Sequence, residues 1–202
     1  MQPVKNIIFD LGGVLLNLDM QQTLNAYKQM GLPKIDELFR IGHASSFFKH
    51  YEVGLISDDE FLSSIEKLEG NTGDKNQILS AWNAMLLDFP KDRVEWLRSL
   101  KGKYRLFLFS NTNALHLEFL LNTFKKDHGF NMDDLFEKSY YSHLVKIRKP
   151  DTASYQLVLD DNNLIAAETA FIDDALNNVE AASSIGIQGM HLKPGVSVTT
   201  LF

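Results

Sequence analysis

The sequence of 202 residues contains no cysteine, which excludes disulfides, thiolate metal sites, iron–sulfur clusters and a cysteine nucleophile. It lacks any apolar run of about 18 residues, the length that a membrane span needs, and its first residues do not resemble a signal peptide. Basic residues are fewer than acidic ones, 20 against 26, which argues against binding to nucleic acid or to a membrane surface. We therefore expect a cytoplasmic protein with neither partner, and composition does not predict its oligomeric state.

Hydrophobic residues make up 45% of the chain, enough to form a core. Short apolar runs typical of buried strands alternate with segments that have apolar residues at helical spacing. This alternation predicts an α/β fold, a Rossmann-like parallel sheet with helices on both faces. The predicted strands are 4–9, 104–109, 137–141, 169–172 and 187–192, and the predicted helices between them are 93–100, 114–124, 152–159 and 175–185.

The block of residues 18–89 has helical patterns but no convincing strand. Within it, Ser57 and Glu60 form a capping-box pattern before an apolar-periodic stretch. About 70 residues are too many for an ordinary crossover between two strands. We therefore predict an inserted all-helical cap at 18–89 and an α/β core domain made of residues 1–17 and 90–202.

Polar residues follow three of the predicted strands, at the point where each strand ends. Asp10, Ser110 and the pair Asp173-Asp174 occupy these positions. Ligands of parallel sheets bind outside the carboxyl ends of the strands, so these side chains are expected to meet. Carboxylates that converge in a crevice repel one another unless a hard cation such as Mg²⁺ lies between them. The prediction is a magnesium site at this sheet edge.

Asp10 is the candidate nucleophile, because a carboxylate can attack phosphorus and form an aspartyl-phosphate. The turn after it contains Gly12 and Gly13, whose backbone amides can bind phosphoryl oxygens. Ser110 can hold a phosphate oxygen, and Lys149, which we expect just before a helix with Pro150 in its first turn, can stabilise both phosphate and carboxylate. Each residue also has an ordinary structural interpretation, as a turn residue or helix cap.

Three further polar residues lie near these positions in the sequence. His116 stands one helical turn beyond Asn113 and could face the crevice, although partial exposure is the simpler interpretation. Lys146 and Arg148 are predicted to belong to a solvated basic loop. The sequence has no Walker A pattern, no G-x-G-x-x-G and no histidine pair at metal-ligand spacing.

Taken together, four segments resemble the haloacid dehalogenase superfamily. They are IIFDLGGVL, LFLFSNTN, RKPD and FIDDALNN, and the correspondence extends from residue 7 to residue 192. The resemblance implies Asp10 as nucleophile and Lys149 beside it. It implies Ser110 and Asn111 as phosphate ligands.

The same resemblance implies the cofactor and the architecture. Mg²⁺ would be bound by Asp10, the carbonyl of Gly12, and Asp174 or Asp173. The sheet order would be 3-2-1-4-5, the helical block would be a C1-type cap, and a loop at Glu52 would reach toward the substrate. Within the superfamily the motifs look most like bacterial sugar-phosphate phosphatases of the glucose-1-phosphate type, which implies a small phosphorylated metabolite as substrate.

Gly12 departs from the pattern of most family phosphatases, which have a second aspartate there as general acid and base. General acid catalysis contributes about 10²- to 10⁴-fold, so its loss is tolerated best with a good leaving group. Two alternatives stay open beside the phosphatase. One is a haloacid-type dehalogenase that is metal-independent, and the other is a regulatory module that binds a phosphate ligand without turnover.

Overall fold

The computed structural model describes residues 2–39 and 47–202. Five strands form one parallel sheet: β1 (Asn6–Phe9), β2 (Arg105–Ser110), β3 (Lys138–Tyr141), β4 (Thr169–Asp173) and β5 (Gln188–His191). Their order is β3-β2-β1-β4-β5, as predicted. The central strand β1 pairs with β2 on one side and β4 on the other, so that Phe9 is in register with both Leu108 and Ile172.

Helices connect the strands and cover the sheet. Those of the α/β part are α5 (Lys91–Leu100), α6 (Ala114–His128), α7 (Ser142–Val145), α8 (Thr152–Asp161) and α9 (Leu176–Ser184). Those of the block between β1 and β2 are α1 (Met20–Gln29), α2 (Phe47–Glu52), α3 (Asp58–Glu66) and α4 (Lys75–Asn83), and residues 35–39 are also helical.

The central strand shows why both faces of the sheet need helices. Its apolar side chains are fully buried, and successive residues of a strand point to opposite faces. Ile7 and Phe9 join the hydrophobic cluster that α5 and α6 cover, whereas Ile8 joins the cluster beneath α8 and α9. A strand buried on both sides has a continuous apolar sequence rather than an alternating one. The predicted fold class is therefore confirmed.

The helical block has a hydrophobic cluster of its own. Phe61, Ile65 and Ile78 are fully buried in it. Ser57 and Glu60 cap α3 reciprocally, as the sequence predicts, and Asp74 with Gln77 caps α4 in the same way. No strand longer than an isolated bridge occurs in the described part of this block. The domain boundaries at 17/18 and 89/90 stay predictions.

Two local predictions need correction. Helix α6 continues four residues past the predicted end, to His128, and stops at Gly129, whose left-handed φ of 80° ends the helix. Pro150 does not lie in the first turn of α8, because Asp151 caps that helix with its side chain and Thr152 is the first helical residue.

Candidate active site

Three neighbouring strands bring the predicted polar residues together. Asp10 directly follows β1, Ser110 is the last residue of β2, and Asp173 is the last residue of β4. The backbone N–H of Asp10 donates to the Ile172 carbonyl at 2.9 Å, so the chain stays in register with β4 as it leaves the sheet. Burial of these apolar strands therefore places their polar ends at one edge, where the structure forms a crevice.

Lys149 joins the two carboxylates that the strand ends present. Its Nζ lies 2.7 Å from Oδ1 of Asp10 and 2.6 Å from Oδ2 of Asp173. The side chain of Lys149 is 1% exposed, and that of Asp173 is fully buried. Burial opposes the positive charge, but the two carboxylates outweigh it and hold the pKa of Lys149 above its usual value. The lysine is therefore a fixed cation between the two aspartates.

Asn111 holds the backbone of Lys149 in place. Its Nδ2 donates to the Lys149 carbonyl at 2.9 Å, and its Oδ1 accepts from the Lys149 N–H at 3.0 Å. Both polar atoms of the side chain are thus engaged by the chain on which Lys149 stands. The Asn111 side chain therefore positions Lys149.

Asp173 is fixed from the other side by the turn that opens α9. Its Oδ1 accepts from the N–H of Ala175 at 2.8 Å, and Asn178 Nδ2 lies 3.1 and 3.0 Å from its two oxygens. Asp173 thus accepts hydrogen bonds from the turn before α9 and from Asn178, in addition to its contact with Lys149. Its orientation is determined on both sides.

Asp10, Asp173 and Asp174 form a group that could hold a metal ion. One carboxylate oxygen from each lies within 4.8 Å of the others. Burial raises the pKa of Asp10 to about 7, with Lys149 opposing the shift and Asp173 adding to it. Burial and Asp173 also raise the pKa of Asp174. The three carboxylates carry more negative charge than the single ammonium of Lys149 compensates. Their oxygens are the ligands that Mg²⁺ prefers.

Close neighbours leave little space for a side chain at either of the two glycines in the turn after Asp10. Gly13 has a φ of 74°, and a Cβ there would lie 2.3 Å from Oδ2 of Asp174. A Cβ on Gly12 would lie 2.6 Å from Cδ1 of Leu18. Only glycine at 13 lets Asp174 approach the turn, while Leu18 occupies the space next to Gly12 that a longer side chain would need.

A cavity of about 140 Å³ lies between the helical block and this edge. Trp82, Met20 and Met85 contribute its apolar wall. Its polar lining comes from Lys49, Glu52, Asn111, Thr112, Asn113, His116 and Arg148. The block therefore covers part of the crevice and leaves room for a small group beside residue 111.

His116 lines this cavity, so it faces the crevice. It is only 7% exposed, so the simpler interpretation of partial exposure is wrong. Burial lowers the pKa of His116 to about 4, although the Trp82 carbonyl opposes the shift. The histidine is therefore neutral near pH 7. Its Nε2 lies 3.0 Å from that carbonyl, and its ring stacks on the Trp82 ring with centroids 4.5 Å apart.

Arg148 is largely buried, which corrects its prediction as part of a solvated loop, whereas Lys146 is exposed as predicted. Arg148 Nη1 lies 2.9 Å from Oε2 of Glu52, and both side chains are about one-fifth exposed, 21% and 22%. Lys146 Nζ donates to the Gly54 carbonyl at 2.6 Å. These cations bind the helical block, a contact between segments about 90 positions apart that a local pattern does not reveal.

Ser142 is a buried residue of this region that the sequence analysis missed. It directly follows β3, and its hydroxyl contacts the loop after β2 and the helical block. The signal that identified Asp10 and Ser110, a polar residue at the carboxyl end of a strand, also applies to Ser142.

The parallel sheet and its flanking helices form a Rossmann-like α/β fold with an acidic crevice at the carboxyl ends of its strands. The chain belongs to the haloacid dehalogenase-like hydrolase family, whose model matches residues 4–186. The predicted family and the predicted hydrolase class are therefore confirmed.

Two relatives with known roles are phosphatases. The chain is 26% identical to a D-ribitol-5-phosphate phosphatase of Bacteroides thetaiotaomicron over 185 residues, 92% of this chain and 90% of the relative. It is 29% identical to a sesquiterpene phosphatase of Aspergillus oryzae over 93% of this chain and 89% of the relative. Both relatives are named for the hydrolysis of phosphate compounds, in agreement with the predicted enzyme class.

A solved structure of the family shows the same architecture. An enzyme of the family from B. thetaiotaomicron, in complex with magnesium and inorganic phosphate, is 36% identical and superposes with a TM-score of 0.91 over 98% of this chain and 99% of that one. The magnesium in that structure agrees with the predicted cofactor. Within the described ranges, no helix of this protein is long and apolar enough to cross a membrane.

Proposed function

We propose that this protein is a Mg²⁺-dependent phosphatase of small sugar or polyol phosphates that acts through an aspartyl-phosphate on Asp10. The observation that supports it most is the group of Asp10, Asp173 and Asp174 around Lys149 at the sheet edge. Asp10 supplies the nucleophile, and Lys149 holds it in place and offers a positive charge to the phosphoryl oxygens. The match to a relative crystallised with magnesium and phosphate supports the same roles.

The metal would be held by Asp10, the carbonyl of Gly12, and Asp174 or Asp173. When bound, Mg²⁺ neutralises negative charge on the transferring phosphoryl group. Asp174 is the better candidate for the direct protein ligand, because Asp173 already accepts hydrogen bonds from Lys149, Ala175 and Asn178. We assign Asp173 to positioning Lys149.

In the reaction, an oxygen of Asp10 attacks phosphorus in line, and the bond from phosphorus to the leaving oxygen breaks. The Ser110 hydroxyl and the backbone N–H of residue 111 bind phosphoryl oxygens, while Lys149 neutralises part of their charge. Water then attacks the phosphorus of the aspartyl-phosphate, releasing phosphate and restoring the carboxylate. Asp10 is only 9% exposed, which limits the access of bulk water at the first step.

The leaving group would occupy the cavity of about 140 Å³ next to residue 111. This small and partly polar cavity suits a short polyol better than a long hydrocarbon chain. The polar lining, which includes Lys49, Thr112 and Asn113, can bind hydroxyl groups. The D-ribitol-5-phosphate phosphatase among the relatives supports this class of substrate.

The experiment is a screen of pentitol phosphates, sugar 1-phosphates, a farnesyl phosphate and a 2-haloacid, each with Mg²⁺ and with EDTA. We expect phosphate release from a polyol or sugar phosphate with Mg²⁺ and none with EDTA. Halide release that survives EDTA would replace the proposal with the dehalogenase. Tight phosphate binding without turnover of any compound would replace it with the regulatory module.

A further inference from the structure

Between the residues that the structure describes, four polar contacts join residues 51–54, at the end of α2, to the α/β part. We call residues 51–54 the docking segment. The Ser142 hydroxyl donates to the Glu52 carbonyl at 2.7 Å, and Lys146 Nζ donates to the Gly54 carbonyl at 2.6 Å. Arg148 pairs with the Glu52 carboxylate at 2.9 Å, and the Leu115 N–H donates to the Tyr51 hydroxyl at 3.2 Å. The segment is therefore the place where the helical block is fastened next to the crevice.

Ser142 connects the docking segment to the loop that follows β2. It is fully buried, and its Oγ accepts from the Thr112 N–H at 2.9 Å and lies 2.9 Å from the Thr112 carbonyl. Thr112 is two residues from Ser110 and next to Asn111. One hydroxyl thus contacts the docking segment and the loop that presents the first set of phosphate-binding groups.

Arg148 connects the docking segment to Lys149, the second of the groups proposed to bind the phosphate. It immediately precedes Lys149, and the Lys149 N–H donates in turn to Asn111 at 3.0 Å. The Arg148–Glu52 pair is about four-fifths buried, with side chains 21% and 22% exposed, so water screens it less than a surface pair. The position of the Lys149 backbone is therefore coupled to the position of Glu52.

The close approach of the two parts depends on Gly54. Its φ is 64°, and a Cβ there would lie 2.3 Å from the His143 carbonyl oxygen. The docking segment thus lies against the chain between Ser142 and Arg148 without room for a side chain. The contacts of this region belong to one packed interface.

We propose that Glu52, Ser142 and Arg148 are positioning residues, through which docking of residues 51–54 aligns both loops that bind the phosphoryl group. The inference deepens the proposed function and rests on it for the identity of the ligand. The helical block then does more than cover the crevice, because its docking sets the geometry of Lys149 and of the loop after Ser110. A misplacement of about 1 Å at such groups can cost up to about 100-fold in rate.

The test compares Arg148→Gln, Glu52→Gln and the double variant, with Arg105→Gln as matched control. Arg105 also forms an arginine–carboxylate pair, with Glu137, at the far end of the sheet. The measurements are KM and kcat for a pentitol phosphate and the Kd of inorganic phosphate in Mg²⁺. We expect KM and Kd to rise about tenfold in each single variant. The double variant should show the same tenfold rise and no more, because both substitutions break the same Arg148–Glu52 contact. Arg148→Lys should recover most of the loss.

A second readout needs no ligand. Hydrogen exchange of the Thr112 and Lys149 amides reports directly on the two loops, since these amides donate to Ser142 and Asn111. We expect both to exchange about tenfold faster in Glu52→Gln and to be unchanged in Arg105→Gln. Unchanged exchange of these two amides in Glu52→Gln would overturn the inference. It would also be overturned if the rise in Kd in the double variant were the product of the rises in the two single variants, because each residue would then contact the ligand separately. Absence of turnover in the wild type would count against the proposed function alone.

Discussion

The ammonium group of Lys149 lies 2.7 Å from a carboxylate oxygen of Asp10, although the two residues are 139 positions apart in the chain. Lys149 also contacts Asp173, so one buried cation compensates two buried carboxylates. Removing one partner from a buried charged group leaves a charge without compensation, and this is far more costly than the loss of an exposed pair.

Lys149→Met should therefore lower the free energy of unfolding by about 3–5 kcal/mol. Added Mg²⁺ should raise the melting temperature more in this variant than in the wild type, because the remaining carboxylates have lost their cation. Calorimetry with and without Mg²⁺ measures both effects. Lys5→Met is the control, since Lys5 forms an exposed pair with Glu168. Equal stability of the two lysine variants would contradict this account of the site.

Gly13→Ala tests the close approach of Asp174 to the turn after Asp10. Gly102→Ala is a matched control, because Gly102 has a similar φ of 84° and no atom within 4 Å of a built Cβ. Both variants carry the cost of a left-handed alanine, roughly 1–2 kcal/mol. Only Gly13→Ala should also weaken Mg²⁺ binding, by about 10- to 100-fold, because it displaces Asp174. Titration calorimetry decides, and equal Mg²⁺ affinity in both variants would show that Asp174 does not bind the metal.

The end of the Leu18 side chain lies beside Gly12, where a Cβ would be 2.6 Å from its Cδ1. Gly12→Asp therefore requires this exposed side chain to shift, and Leu18→Ala removes the contact. Compared with Leu18→Ala alone, the double variant Gly12→Asp/Leu18→Ala should hydrolyse alkyl phosphates faster, by up to about 10²–10⁴-fold. Hydrolysis of a nitrophenyl phosphate should change little, because its good leaving group does not need a general acid. The ratio of kcat/KM for the two substrates measures this. An unchanged ratio would mean that another group already protonates the leaving oxygen.

His116 gives a pH dependence of stability whose sign follows from its lowered pKa. The folded state holds the pKa near 4, whereas the unfolded chain has about 6.5, so the unfolded state binds more protons between these values. The stabilising contribution is complete above pH 6.5 and is lost as the pH falls toward 4. Between pH 7 and pH 5 the loss amounts to about 2 kcal/mol.

Urea unfolding at the two pH values tests this prediction. His116→Gln should lose about 2 kcal/mol less than the wild type between pH 7 and pH 5. The control is His50→Gln, at an exposed position on α2, which should behave as the wild type does. If His116→Gln showed the same pH dependence as the wild type, the buried neutral histidine would not be the cause.

The sheet and the residues at its edge were predictable because each depends on local sequence. An apolar run that ends in a polar residue indicates a buried strand and its carboxyl end, and the structure places Asp10, Ser110 and Asp173 at such ends. The strand order followed from the family resemblance, since apolar runs do not reveal which strands are neighbours. Strand and helix ends differed by a few residues, as expected for boundaries set by single hydrogen bonds.

The contacts between the helical block and the sheet edge were not predictable in the same way. Arg148 and Lys146 lie in a sequence that is equally typical of a solvated loop, and their partners, Glu52 and Gly54, are about 90 positions away. The packing of Leu18 on Gly12 likewise depends on how the chain returns after the turn. Such pairings are decided by tertiary packing rather than by periodicity.

The central claim, that Asp10 carries the phosphoryl group, is tested most directly by trapping that group. A pentitol phosphate is mixed with the enzyme and Mg²⁺, quenched in acid within one turnover, and digested for mass spectrometry. The account predicts one added phosphoryl group on the peptide that contains Asp10, and none in Asp10→Asn, which should also release no phosphate. Normal phosphate release by Asp10→Asn, or a phosphoryl group on another residue, would contradict it.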